Sequence, residues 1–297
     1  MNYRYYTRDV FSPSFITSVL KDRKLSLRKT LGQNFLINRS IALSIIELAQ
    51  LDPSDSILEI GPGLGTLTFL LSERVGKVLA VEIDRGFVRY LKAKIEEFKI
   101  DNVRVIEGDF LSFRKDEIFQ EIIPNKVVCN FPYSVGIKVL IKILEEFESI
   151  RSITGIMQME LARRISSPPG KGEYSFVSAY IQFMAEIRLV GGGISPRNFF
   201  PPPEVESIMV EIKRKSLEDP VLREAYKSVV KAGFSSRRKS LASNLRKLRL
   251  NLSVEELRGI ISELFSDKLI RAESLTPDDF ILLTRKLFPY MKHELIS

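Results

Sequence analysis

Between residues 40 and 213 short β-rich runs alternate with helical patterns, and this alternation constrains the fold more than any other feature of the chain. Ile57-Leu58-Glu59-Ile60, Lys77-Val78-Leu79-Ala80-Val81, Val103-Arg104-Val105-Ile106, Lys126-Val127-Val128-Cys129 and Ile153-Thr154-Gly155-Ile156-Met157 read as five strands. Helical stretches at 66–74, 86–98, 137–147 and 159–166 are interleaved with them. Strands joined through helices pair in parallel and need cover on both faces. The predicted fold is α/β, with a doubly wound, mostly parallel sheet.

Beyond Met157 the spacing loosens. Ser166–Gly172 and Gly191–Gly193 read as loops, and Phe199-Phe200-Pro201-Pro202-Pro203 as a stiff connector before a strand at Ser207–Ile212. From Leu217 onward helical signals take over. Asp219-Pro220 opens a helix to Ala232, Ser253-Val254-Glu255-Glu256 is a capping box, and Thr276-Pro277-Asp278-Asp279 starts the last helix. The spacing predicts a first domain over 1–213, including a basic extension at 1–28, and a smaller all-helical domain over 214–297.

Composition removes several classes of chemistry. A single cysteine, Cys129, excludes an intrachain disulfide and a multi-cysteine metal cluster, and a single histidine, His293, makes a Ser-His-Asp triad or multi-His metal site untenable. No metal is expected. The chain carries no apolar run near the roughly 20 residues of a membrane span, and no secretory pattern is read at its start. The expectation is a soluble, cytoplasmic protein without a membrane partner. Charge is uneven: residues 214–297 hold 17 basic and 11 acidic groups, against 28 and 26 in residues 1–213. Seven basic residues (Arg4, Arg8, Lys21, Arg23, Lys24, Arg28 and Lys29) lie in the first 29, so both ends fit a polyanion backbone. Ordinary solvated surface charge explains the same counts equally well.

Candidate site residues cluster at strand ends. Glu59-Ile60-Gly61-Pro62-Gly63-Leu64-Gly65 follows the first strand, and its glycines let backbone approach a ligand closely. A dinucleotide fingerprint would need a further glycine at Thr66, so Gly61 and Gly63 suit a nucleoside lacking a pyrophosphate. Glu82 ends the second strand, where a carboxylate can take both ribose hydroxyls. Asp109 follows the third and can accept from an exocyclic amine such as that of adenine. Each acid alone reads best as solvated; three such features on successive strands point to one nucleoside site.

The fourth strand delivers Asn130-Phe131-Pro132-Tyr133. Here the sequence resembles the S-adenosyl-L-methionine-dependent N6-adenine methyltransferases, with their Asn-x-Pro-Tyr motif. Gly32-Gln33-Asn34-Phe35-Leu36 at the end of Lys29-Thr30-Leu31, Gln158–Arg164, Phe199–Ser207 and Phe234–Leu241 are similar to further motifs of the rRNA adenine dimethyltransferase family. The likeness runs in consistent order from about residue 29 to 245 and is strongest to the small-subunit enzymes.

The resemblance implies a Rossmann-like methyltransferase domain and dimethylation at N6 of two adjacent adenines near the 3′ end of small-subunit rRNA. The partner would be that rRNA or the immature small ribosomal subunit, met by a monomer. It implies cofactor contacts at Asn34, Leu36, Gly61, Gly63, Glu82, Asp109 and Asn130. Catalysis would fall to Asn130, Pro132, Tyr133 and Phe199. The Asn130 side-chain oxygen and a backbone carbonyl ahead of Pro-Tyr would accept from the target amine, favouring its pyramidal form and the positive charge that develops there. Tyr133 and Phe199 would sandwich the base, and Arg237, Arg238 and Lys239 would contact RNA backbone. Phe131 and Ser134-Val135-Gly136 depart from the family's usual pattern, and residues 1–28 lack an alignable counterpart. A large-subunit rRNA methyltransferase of the antibiotic-resistance type shares these motifs, and a non-catalytic assembly or transcription factor shares the fold.

Overall fold

The computed structural model describes residues 3–27, 32–119, 122–216, 219–248, 250–266 and 269–291. Arg28, Lys29, Thr30, Leu31, Leu217 and His293 lie outside them. The chain divides into two compact units, one of Met1–Ala162 with Ile187–Arg214, the other of Arg163–Glu186 with Lys215–Ser297. Sequence patterning puts one boundary at 214 and leaves 163–186 in the first domain. The structure assigns that stretch to the second unit, because helix Phe176–Met184 buries Tyr180, Ile181, Phe183 and Met184 against helices Pro220–Gly233 and Pro277–Leu287. The Phe183 and Tyr226 rings stack at 3.9 Å there.

Nine strands occur among the described residues, in chain order: β1 Phe35–Leu36, β2 Ser56–Ile60, β3 Lys77–Glu82, β4 Val103–Glu107, β5 Lys126–Asn130, β6 Ser152–Gln158, β7 Ala185–Ile194, β8 Phe199–Phe200 and β9 Ser207–Arg214. Seven form one sheet in the order β4-β3-β2-β5-β6-β9-β7. The pairs from β4 through β6 are parallel, and β9 runs antiparallel to β6. Ile57, Leu58, Val78, Leu79, Ala80, Val127, Val128 and Cys129 are buried on successive positions, the signature of a sheet covered on both faces. The chain winds outward from β2 to β4 and then back through β5 and β6, so strand direction of travel reverses between β2 and β5. Ligands of such sheets bind at the carboxyl edge beside that reversal.

Two segments differ from their sequence reading. Gly191–Gly193 lies inside β7, an end strand of the sheet, where glycine weakens the ladder least. The extension at 1–28 contains helices Tyr3–Asp9 and Pro13–Asp22; Tyr6, Ile16 and Val19 of the helices and Val10 and Phe11 of the turn between them enter the core, while Arg8, Lys21, Arg23 and Lys24 stay exposed. Its apolar spacing, not its charge, explains its place. Among the described residues no helix is long and apolar enough to cross a membrane.

Candidate active site

A cavity opens at the carboxyl ends of β2, β3, β4 and β5. Its walls include Asn34, Leu36, Gly61, Gly63, Glu82, Asp109, Asn130 and Pro132, so eight residues flagged in the sequence meet around one space. Gly63 holds φ +58°, and a Cβ built there would stand 2.7 Å from a ring carbon of Phe35. Only glycine satisfies both the left-handed backbone and the close approach of that ring.

Glu82 is 4% exposed, yet both its oxygens are engaged. Gly63 N–H donates to Oε2 at 3.0 Å and Asp84 N–H to Oε1 at 2.9 Å. Burial raises its pKa above the ordinary glutamate range, and the two amide bonds oppose that rise. The carboxylate thus ties the glycine loop to the end of β3. Asp109 is exposed at the rim, with its Oδ1 accepting from Leu111 N–H at 2.9 Å.

Asn130 closes β5. Its Nδ2 donates to the Asn34 carbonyl at 2.9 Å, whereas its buried Oδ1 has no hydrogen-bond partner. A buried unpartnered acceptor costs free energy unless a ligand satisfies it. Asn34 is itself set by short strand pairing, since β1 lies antiparallel to β8 with Leu36 opposite Phe199.

The expected base sandwich is absent. Phe199 is 2% exposed and belongs to the apolar cluster of Leu36, Ile156 and Ile194. Its ring meets Tyr133 edge to face, with centroids 6.1 Å apart and planes at 70°. Stacking a base between them would need near-parallel faces, so pairing of β8 with β1 has given Phe199 to the core in this conformation. Tyr133 exchanges a 2.5 Å hydrogen bond with the Ser207 hydroxyl, and burial pushes its pKa up to about 12. Its hydroxyl is neutral near pH 7.

Glu59 on β2, which heads the glycine run in the sequence but is given no role there, also lines the cavity. It is 2% exposed, accepts from Thr68 Oγ1 at 2.6 Å, and is raised by burial to a pKa of about 8. In the second unit Arg237 donates to the carbonyls of Gly172 at 2.8 Å and Tyr174 at 2.9 Å. Its guanidinium braces the loop after Ser166 while the residue stays exposed, as Arg238 and Lys239 are.

Comparison with known proteins places this geometry in context. A family model described as ribosomal RNA adenine dimethylase matches residues 24–284. The chain is 33% identical over 293 residues to a ribosomal RNA small subunit methyltransferase A of Bacillus cytotoxicus, covering 95% of this chain and 99% of that one. A protein of the same name from Alkaliphilus metalliredigens is 33% identical over 287 residues, covering 94% and 98%. In fold the chain is similar to a dimethyladenosine transferase from Plasmodium falciparum, with a TM-score of 0.74 at 22% identity over 86% of this chain and 99% of that one. The strand-end acids, the glycine loop and the Asn-x-Pro-Tyr turn therefore stand in a chain that belongs to the ribosomal RNA adenine dimethylase family.

Proposed function

We propose that this enzyme transfers methyl groups from S-adenosyl-L-methionine to N6 of two adjacent adenines near the 3′ end of small-subunit rRNA. The observation that carries the chemistry is the buried, unpartnered Oδ1 of Asn130, a residue that lines the cavity with Gly61, Gly63, Glu82 and Asp109. What supports the small-subunit target is that the near-full-length relatives carry that name.

The residues present suit the methyl donor. Gly61 and Gly63 leave room for backbone contact, Glu82 offers remaining lone pairs to a ribose diol, and Asp109 stands where an adenine amine would donate. When bound, S-adenosyl-L-methionine supplies an electrophilic methyl group. Asn130 then does the chain's part of the chemistry. Anchored through Nδ2 by the Asn34 carbonyl, its Oδ1 accepts from the target amine and favours the positive charge building on N6. The amide cannot swing away without breaking that anchor, so its dipole is preorganised. Tyr133, whose hydroxyl stays protonated and is bonded to Ser207, acts through its ring and not as a base. A base entering between Tyr133 and Phe199 has first to part the two rings. Arg238 and Lys239 bind RNA backbone from the helical unit, and the enzyme works as a monomer on the immature small subunit in the cytoplasm.

Mapping N6-methylation in both rRNAs from cells with and without the gene tests this reading. Loss of two adjacent dimethyladenines from small-subunit rRNA is expected. Loss of a mark from large-subunit rRNA alone would overturn it.

A further inference from the structure

The helix Tyr3–Asp9 precedes residue 24, where the match to the family begins, yet it reaches the glycine loop. Tyr6 is fully buried, and its hydroxyl donates to the Leu64 carbonyl at 2.6 Å. Leu64 sits between Gly63, which lines the cavity, and Gly65, which holds φ +86°. The Tyr6 ring packs edge to face on Phe69 at 5.0 Å and tilts against Phe98 at 5.2 Å, and the Lys94 ammonium lies 5.6 Å from its centroid. Phe69 in turn fills the space over Gly65, where an added Cβ would collide with its ring. One side chain thus grips the loop twice, by a hydrogen bond to its backbone and through the ring seated on its last glycine. Tyr6 itself does not line the cavity.

We propose that Tyr6 is a positioning residue for the nucleoside site, holding the glycine loop from outside so that the Gly63 amide and the Gly61–Gly63 backbone are set before ligand arrives. The inference rests on the reading that this cavity takes S-adenosyl-L-methionine. Three flexible glycines would otherwise make the loop costly to order on binding. Glu82 fixes it from the cavity side through Gly63, and Tyr6 fixes it from the core side through Leu64. The first helix therefore sets cofactor affinity without touching the cofactor.

The test replaces Tyr6 by Phe in the full chain, which keeps the ring contacts and removes one hydroxyl. Tyr174→Phe is the control, because its hydroxyl donates to the Leu275 carbonyl at 2.8 Å in the second unit. Hydrogen exchange of the Gly63–Thr66 amides without ligand should accelerate in Tyr6→Phe and not in Tyr174→Phe. Calorimetry with S-adenosyl-L-methionine should show affinity falling about 3- to 10-fold, the scale of one hydrogen bond, with the rate at saturation within about twofold of wild type. Tyr174→Phe should bind as wild type does. A folded Tyr6→Phe with unchanged affinity overturns the proposal, even if its thermal stability drops, since that is all a packing role would do. Wild type failing to bind S-adenosyl-L-methionine would sink the reading of the cavity and the proposal together, whereas wild-type binding with an unaffected variant sinks the proposal alone.

Discussion

The side-chain nitrogen of Asn130 is held by the Asn34 carbonyl at 2.9 Å, which makes the opposite atom of the same amide the acceptor that faces no protein partner. Asn130→Ala should cut the rate at saturating RNA and cofactor at least about 100-fold, the scale for one preorganised polar partner. RNA affinity, spread over many phosphates, should change little. Asn130→Asp keeps acceptor oxygens but sets one against the Asn34 carbonyl, so it should fail nearly as badly. Single-turnover kinetics separate rate from affinity. A near-wild-type saturated rate in either variant would make Asn130 a binding residue only.

Glu82→Ala should weaken S-adenosyl-L-methionine binding by about 1.5–3 kcal/mol, the usual range for hydrogen bonds to a charged group. Glu82→Gln should recover little, because the new NH2 must face either Gly63 N–H or Asp84 N–H, both donors. Calorimetry on the folded variants decides. Full recovery in the Gln variant would mean that neither the charge nor the second amide bond is needed.

Glu59 gives the enzyme a pH-dependent stability. Its folded pKa of about 8 lies above the ordinary value of 4.5, chiefly through burial, so the folded state holds the proton more tightly than the unfolded chain. The contribution is complete below about pH 4.5 and is lost as pH rises through about 8. Glu59→Gln, always neutral and still able to accept from Thr68, should gain melting temperature over wild type as pH is raised from 5 to 9. A pH-independent difference between the two proteins would show that Glu59 ionises freely in the fold.

Arg237 and its neighbours should part company. Arg238→Ala with Lys239→Ala should flatten the salt dependence of rRNA binding by roughly one unit of slope for each phosphate no longer neutralised, with melting temperature unchanged. Arg237→Ala removes two bonds to loop carbonyls and should lower melting temperature. Equal thermal losses in both variants would contradict the division of roles.

The sheet and most of the site were legible because their signals are local. Strand runs such as Lys77–Val81 sit in chain order, and Gly61, Glu82, Asp109 and Asn130 each end or follow a strand whose partners are parallel, so strand ends in sequence become one edge in space. What escaped depends on distant pairing. Phe199 goes to the core because β8 finds β1, some 160 residues earlier, as the Asn38–Asn198 side-chain bond nearby also reflects. Arg237 reads as part of a basic run until the carbonyls of Gly172 and Tyr174 come up beside it. The aromatic residues of the first helix carry no motif at all, and only Leu64 gives Tyr6 its meaning.

The interleaving of the two units has a consequence for how the chain is made. The interior place of the sheet between β6 and β7 belongs to β9 and stays vacant until residue 214 has been synthesised. By then residues 163–186 have already emerged, and their apolar helix waits for partners at 220–233 and 277–287. The first unit can close only after part of the second has been made, and that part stays unfinished until the last helix follows. A chain truncated by a stop codon soon after 219 would complete its sheet yet carry Tyr180, Ile181, Phe183 and Met184 without their cover, which makes it a target for aggregation and proteolysis before any RNA is met.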